Sequence, residues 1–229
     1  MPLQLLPLEE SEVPAYVGII GDAFAGGLND LFYPHGYSDD ARAMTTENTL
    51  KSWRKHPEKI RKLKVIDTDL PTDGKYGQII AVSDWEFYPK DRSDEELLEE
   101  EAEGKDRKLP PGSNEECMTA FFKALKETKK QHLGGKAHIR CHILTTLPHH
   151  HRRGAGAMAL NWGFEQADKL GIPVWLEASP MGRPLYERVG FETVGWLPFD
   201  AKKFGAKEDM PHAVMLRQPK KAGVANGQV

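Results

Sequence analysis

The sequence predicts an α/β protein. Short apolar stretches with period-two patterning, at 63–67, 78–87 and 136–147, alternate with stretches at 9–24, 114–132 and 157–170 whose apolar residues recur at helical spacing. Asp73-Gly74, between the first two strand candidates, is a hairpin-turn signal. A third observation is the stretch Pro148-His149-His150-His151-Arg152-Arg153-Gly154-Ala155-Gly156-Ala157, where a strand gives way to a helix. The first N–H groups of such a helix lack internal partners and carry the positive end of the helix dipole, so the turn is an anion site suited to phosphate.

Length and composition bound the answer. The chain's 229 residues suffice for one sizeable core with an elaboration, and 39% hydrophobic with 28% charged residues is ordinary for a globular protein. A net charge of -3 offers no basic footprint for nucleic acid. No apolar run reaches membrane-spanning length, and Met-Pro-Leu-Gln does not open a secretion signal. Cys117 and Cys141 read as two buried thiols in a reducing compartment, which implies a cytoplasmic location with the nucleus as the alternative.

In chain order, 3–8 reads as a short first strand ended by Pro7. A helix over 9–24 follows, with Ser11 as N-cap, Pro14 in the first turn, and Gly26-Gly27 as the break. Residues 28–38 are too apolar for a solvated loop, and 38–55 is a helix with Leu50 and Trp53 on its apolar side. In the strand over 78–87, Ile79, Ala81, Ser83, Trp85 and Phe87 take one face. Ile80, Val82, Asp84 and Glu86 take the other, so the two carboxylates project together. The run 91–103 holds eight acidic residues against Arg92 and reads as a charged helix or a partly disordered segment, closed by Pro110-Pro111-Gly112. The helix over 114–132 ends at Gly134-Gly135. In the strand over 136–147, His138, Arg140, His142 and Leu144 share one face, and Ile139, Cys141 and Ile143 the other. The helix over 157–170 puts Ala157, Leu160, Phe164, Ala167 and Leu170 on one face and stops at Gly171-Ile172-Pro173. A strand over 174–179 leads to a short helix with Ser179 as N-cap, Pro180 at the first position and Gly190 just past the end. Strands near 191–196 and 212–216 finish the sheet. One domain over 1–218, with an insertion at about 90–135, and a disordered tail at 219–229 are expected.

The two obvious phosphate motifs both fail: no Gly-Lys-Ser/Thr completes a P-loop, and no third glycine stands at the dinucleotide spacing. The run His151-Arg152-Arg153-Gly154-Ala155-Gly156, taken with Leu185-Tyr186 and Gly190-Phe191 about thirty residues on, resembles the GNAT acyltransferases, which bind acetyl-CoA. That family's loop reads Gln/Arg-x-x-Gly-x-Gly/Ala, with His151 here in the Gln/Arg place, and its later signature reads Leu-Tyr-x-x-x-Gly-Phe. The likeness is specific over about 136–197, and LEASP followed by GxPLY is most like uncharacterised fungal members. It implies a mixed, mostly antiparallel, twisted sheet, splayed between the fourth and fifth strands to admit acetyl-CoA. Leu144, Thr145 and Thr146 would contact the pantetheine through their backbone. His151, Arg152, Arg153, Gly154, Ala155, Gly156 and Ala157 would hold the phosphates, and Ser179 stands where many members have an asparagine near the pantetheine.

Acyl transfer from a thioester to an amine needs a base for the amine and profits from a donor to the departing sulfur. Tyr186 stands at the position that resembles the family's sulfur donor. His142 falls where arylalkylamine N-acetyltransferases carry a histidine that relays the amine proton through water. Glu177 and the pair Asp84 and Glu86 compete with it, and solvent alone can take the proton. Phe32, Tyr33 and Tyr37 are candidates to line an acceptor pocket, or else pack on the core, and Asp84 and Glu86 are counted with them as substrate-binding candidates. Adjacent histidines such as His149-His150-His151 rarely converge on one ion, so no metal is expected. The expected activity is N-acetyl transfer from acetyl-CoA to the primary amine of a small molecule, by direct attack without a covalent enzyme intermediate. The alternatives are a protein lysine or N-terminal acetyltransferase, and a non-catalytic acetyl-CoA-binding module. Monomer and homodimer both stay open.

Overall fold

Seven strands form the sheet: β1 (Leu3–Pro7), β2 (Ile60–Asp67), β3 (Ile79–Tyr88), β4 (His138–Thr146), β5 (Val174–Ala178), β6 (Glu192–Trp196) and β7 (Ala213–Arg217). The computed structural model describes residues 2–103 and 108–220, and most of the expected tail at 219–229 lies outside them. The strand order is β1-β2-β3-β4-β5-β7-β6. All neighbours are antiparallel except β4 and β5, which run parallel. The helices are α1 (Val13–Ala23), α2 (Leu28–Phe32), α3 (Asp39–Lys55), α4 (Asp94–Glu103), α5 (Glu115–Leu133), α6 (Ala155–Leu170) and α7 (Arg183–Arg188).

Local chemistry explains most boundaries, including those that differ from expectation. The helix predicted over 9–24 starts as a 3₁₀ turn at Glu10–Glu12. Glu9 and Glu12 close a reciprocal capping box there, so Glu9 rather than Ser11 caps it. Residues 28–32 form the short helix α2 rather than irregular chain. The acidic run folds as α4, where the Glu100 carboxylate ties it to Arg92 at 2.8 Å and Lys59 at 3.2 Å. Asn114 caps α5 through the Cys117 N–H. The feet of this insertion are clipped together. Arg92 N–H donates to the Gly135 carbonyl at 2.8 Å, and Asp91 accepts from Lys136 and from the Ala137 N–H.

The short helix α7 begins at Arg183, three residues later than expected. Ser179 accepts from the Gly182 N–H at 3.2 Å, and Pro184 rather than Pro180 stands in the first turn. On α6 the buried stripe is Ala159, Leu160, Gly163, Phe164 and Ala167, while Leu170 at its end is exposed.

Two β-bulges break the expected alternation. Val65 pairs with Ala81 and Ile66 with Ile79, so Ile80 is an extra residue and Ile79 turns to pack with Val82 against α1. Trp85 pairs with Cys141 and Asp84 with Ile143, so His142 is the extra residue of β4. Leu144 is thereby flipped onto the core with Ile139 and Cys141, away from the face it was expected to share with His142.

The largest core lies between the sheet and α6 with α7. It is built from Trp85, Ile139, Cys141, Leu160, Phe164, Leu176, Tyr186 and Met215. The opposite face carries α1 and α3 over Ile79 and Val82, and α5 through Leu133 on Trp175 and Val214. The α6 backbone approaches the sheet at Gly163, where an added Cβ would strike the Trp85 ring. Alanine gains about 1 kcal/mol over glycine in a helix interior. Overpacking a fully buried indole outweighs that, and Gly163→Ala is expected to destabilise the fold by about 1–3 kcal/mol in urea titrations. A midpoint at or above that of the parent chain would disprove this packing.

Candidate active site

β4 and β5 pair only at Ile139 with Val174 and at Arg140 with Trp175. Beyond Arg140 the β5-facing edge of β4 has no strand partner among the described residues, and the parallel strands part into a cleft. Leu144, Thr145 and Thr146 lie on that edge while still paired with β3 on the other side.

The loop after β4 carries the chain to α6 and is held by its own side chains. The His151 ring nitrogen Nε2 meets the Thr146 carbonyl at 2.9 Å. Arg153 reaches the Asp67 carboxylate at 2.6 Å and the His150 ring at 2.8 Å. Asp67 Oδ1 also accepts from the Asp69 N–H. Arg153 therefore acts as a strut, whereas Arg152 is exposed and has no recorded ion pair among the described residues. Arg152 has positive φ (62°), as does Gly154 (94°), the residue before α6. Gly156 lies against Leu185 of α7, with a built Cβ 3.4 Å from its Cδ2. Met158 is the first α6 residue to bond back, to the Gly154 carbonyl at 3.0 Å. The N–H groups of Ala155, Gly156 and Ala157 thus point out of the helix end. Open N–H groups, an unengaged arginine and a bare strand edge fit a phosphate-bearing, pantetheine-like ligand.

His142, the extra residue of the β4 bulge, keeps part of its surface open to solvent while its ring lies among the strands' charged groups. Its basicity is lowered by burial first and then by Arg140, with Lys62 adding and with Glu86 and Asp84 opposing. The ring is therefore neutral near pH 7 and able to accept a proton. Tyr186 is buried in the α6-side core and packs edge-on against Phe191 at 5.7 Å. Burial, and secondarily Cys141, push its hydroxyl far above the usual range, so it stays protonated.

The carboxylates have partners. Glu177 is bound by Arg140 at 3.1 Å and by the Trp175 indole N–H at 2.8 Å. Burial alone would raise Glu86, but Arg140 first, then His142, Lys129 and Lys59, hold it well below the usual range. Tyr88 O–H also donates to Glu86. Asp84 receives Lys62 at 2.5 Å and Tyr16 O–H at 3.3 Å. Ser179 caps the turn before α7. Phe32 meets Phe121 and Phe122 of α5 at 5.4 and 6.0 Å, and Tyr33 stacks on Tyr37 at 4.4 Å.

Asp67, Lys62 and Tyr16 were not singled out by sequence. Asp67 closes an apolar strand just before a turn, which is a usable signal. Tyr16 is hidden in the α1 stripe, and nothing marks Lys62. Among the described residues no group of three or more His, Cys, Asp or Glu is placed to hold a metal ion, and no helix is long and apolar enough to cross a membrane.

Asp67→Asn and Arg153→Met are expected to combine non-additively in stability at pH 7. The folded Asp67 carboxyl is held low, chiefly by its Arg153 bond. Its contribution is therefore present above the unfolded value near ~3.9 and lost as pH falls through the folded value. Additive effects at pH 7 in denaturant titrations would rule out the strut.

No family model matches the chain. A curated fungal protein, named Probable acyltransferase SID5, of Ajellomyces capsulatus, is 39% identical over 41 residues, which cover 18% of this chain and 30% of the relative. Among solved structures, agmatine N-acetyltransferase is similar at TM-score 0.64 and 13% identity, covering 95% of this chain and 100% of its own. Mosquito arylalkylamine N-acetyltransferase like 5b gives 0.61 and 15%, with 94% and 99% covered. yncA of Salmonella typhimurium, solved with its cofactor acetyl-CoA, gives 0.54 and 12%, with 100% of both chains covered. With β4 and β5 parallel and parting beside the open end of α6, this chain has the GNAT acetyltransferase fold.

Proposed function

We propose that the chain is a CoA-dependent N-acetyltransferase in which residues 1–218 act as one domain and the acceptor is the primary amine of a small molecule. The observation that carries this reading is the parting of parallel β4 and β5 beyond Arg140, with α6 and its open N-terminal end following β4, His142 in the β4 bulge and Tyr186 on the helix that follows β5. The solved agmatine and arylalkylamine N-acetyltransferases, both named for small amines, share the fold. Phe32 packs on Phe121 and Phe122 of α5, and such an aromatic cluster beside α2 would suit a small acceptor better than a long peptide.

Backbone N–H groups of Ala155 to Ala157 and the Arg152 side chain would hold the phosphates, and the free edge of β4 at Leu144 to Thr146 the pantetheine. Acetyl-CoA supplies a thioester, whose C–S bond breaks as the amine nitrogen bonds to the carbonyl carbon. His142, neutral at working pH, takes the amine proton and passes it to solvent. Tyr186 donates a hydrogen bond to the sulfur as charge gathers there. Its hydroxyl is a much weaker acid than a thiol of pKa about 8.5, so it stabilises the leaving group without surrendering its own proton.

Saturating acetyl-CoA at about 100 times its dissociation constant should stabilise the fold by roughly 2.7 kcal/mol and raise the melting temperature. Tyr186→Phe should slow turnover by about 10- to 100-fold with acetyl-CoA affinity unchanged. No thermal shift would remove the coenzyme site. Undiminished turnover in Tyr186→Phe, read by thiol release with an amine panel, would remove the donor.

A further inference from the structure

The charged side chains around His142 are arranged about one unengaged atom. Asp84 stands opposite Ile143 across the bulge that makes His142 the extra residue. In such a bulge the extra residue and its neighbour both face the single residue opposite, so His142 and Asp84 share a sheet face. The Asp84 side chain is about nine-tenths buried. Its Oδ2 is fixed by Lys62 at 2.5 Å and by Tyr16 O–H at 3.3 Å. Its Oδ1 is fully buried and has no hydrogen-bond partner among the described residues. A buried carboxylate oxygen without a donor is costly, and native structures rarely keep one idle.

We propose that Asp84 positions the His142 base, the imidazole N–H turning to the unengaged Oδ1 when acceptor and coenzyme fill the cleft, with Lys62 and Tyr16 holding the carboxylate in place. The proposal rests on the reading of His142 as base. An N–H bound to a carboxylate fixes the tautomer and leaves the other ring nitrogen free to face the amine. The charge also stabilises the imidazolium once the proton has moved.

Other groups bear on the same ring. From β3, Glu86 favours its protonation, as Asp84 does. Lys62 from β2 and Arg140 on β4 itself oppose it. Tyr16 from α1 stays protonated, through burial first and then Asp84. Glu177 from β5 and Lys129 from α5 act on Arg140 and Glu86 and so one step away. The separable signature of Asp84 is therefore a pair of opposite shifts. Removing its charge makes His142 harder to protonate, and removing Lys62 makes it easier.

The test is the NMR titration of His142 in the full chain, alongside pH profiles of kcat/KM, for the parent, D84N, K62M, the double variant and H142Q. D84N should lower the His142 midpoint by about one pH unit and K62M should raise it. The acidic limb of kcat/KM should move with each, kcat should fall at least tenfold in D84N, and KM for acetyl-CoA should stay within twofold. If D84N does not fold, the double variant lacks both buried charges, and its midpoint should lie about one unit below that of K62M. A His142 midpoint that ignores the loss of Asp84, while the acidic limb disappears in H142Q, overturns the positioning role alone. An acidic limb that survives in H142Q overturns the base reading and this proposal with it.

Discussion

Where the backbone of β4 stops pairing with β5, a guanidinium takes over. Arg140 is the last residue of β4 that pairs with β5. Its side chain reaches Glu177 on β5 at 3.1 Å and Glu86 on β3 at 3.6 Å, bridging three strands at the apex of the cleft. Burying these charges costs desolvation energy, which is offset because each carboxylate has a second donor, Trp175 for Glu177 and Tyr88 for Glu86. Without Arg140 both Glu86 and Glu177 would lose their shared guanidinium partner, a loss of about 3–5 kcal/mol on the usual scale for a broken buried pair. The cleft can open because its apex is pinned by side chains that need no ladder.

The two faces of the sheet divide the work. On the α6 side the core is apolar and tightly fitted, with Trp85 under Gly163 and Tyr186 beside Cys141. On the other side, Lys62, Asp84, Glu86, Arg140 and His142 interrupt what could have been hydrophobic surface. A sheet face gains little stability from such groups, since paired buried charges roughly break even against apolar side chains of the same size. What they supply is a fixed field around one imidazole.

This division was half legible in the sequence. The helices α5 and α6, the hairpin, the strand-to-glycine turn and the parting of β4 from β5 were readable from periodicity, turn residues and the family resemblance. The two bulges were not. Alternation assumes one residue per pleat, and an inserted residue reverses everything beyond it. Ile79 and Leu144 changed face for that reason, though neither is chemically unsuited to its expected place. Choice of partner was equally hidden. Nothing local distinguishes Arg153, held by Asp67 at the end of β2, from Arg152, which has no ion pair among the described residues. The capping of the turn before α7 by Ser179 was right in chemistry and wrong in register, since the hydroxyl binds Gly182 rather than opening a helix at Pro180.

The run of three histidines shows how loop shape and ligand chemistry can be separated. His151 stands where the family's pattern has Gln or Arg, and its ring is used on the Thr146 carbonyl, at the point where β4 ends. His150 is used on Arg153, and Arg153 on Asp67. These bonds fix the path by which the chain enters α6, and they involve none of the N–H groups that face outward from the helix end. A loop whose shape is set by its own side chains can bind an anion through main-chain groups alone, because those groups are oriented before the anion arrives and lose little freedom on binding. On that argument the departure at His151 would cost the proposed anion site one side-chain contact and leave its main-chain groups in place. Arg152, left-handed and exposed, is then the side chain that would remain for the phosphates under the proposed function.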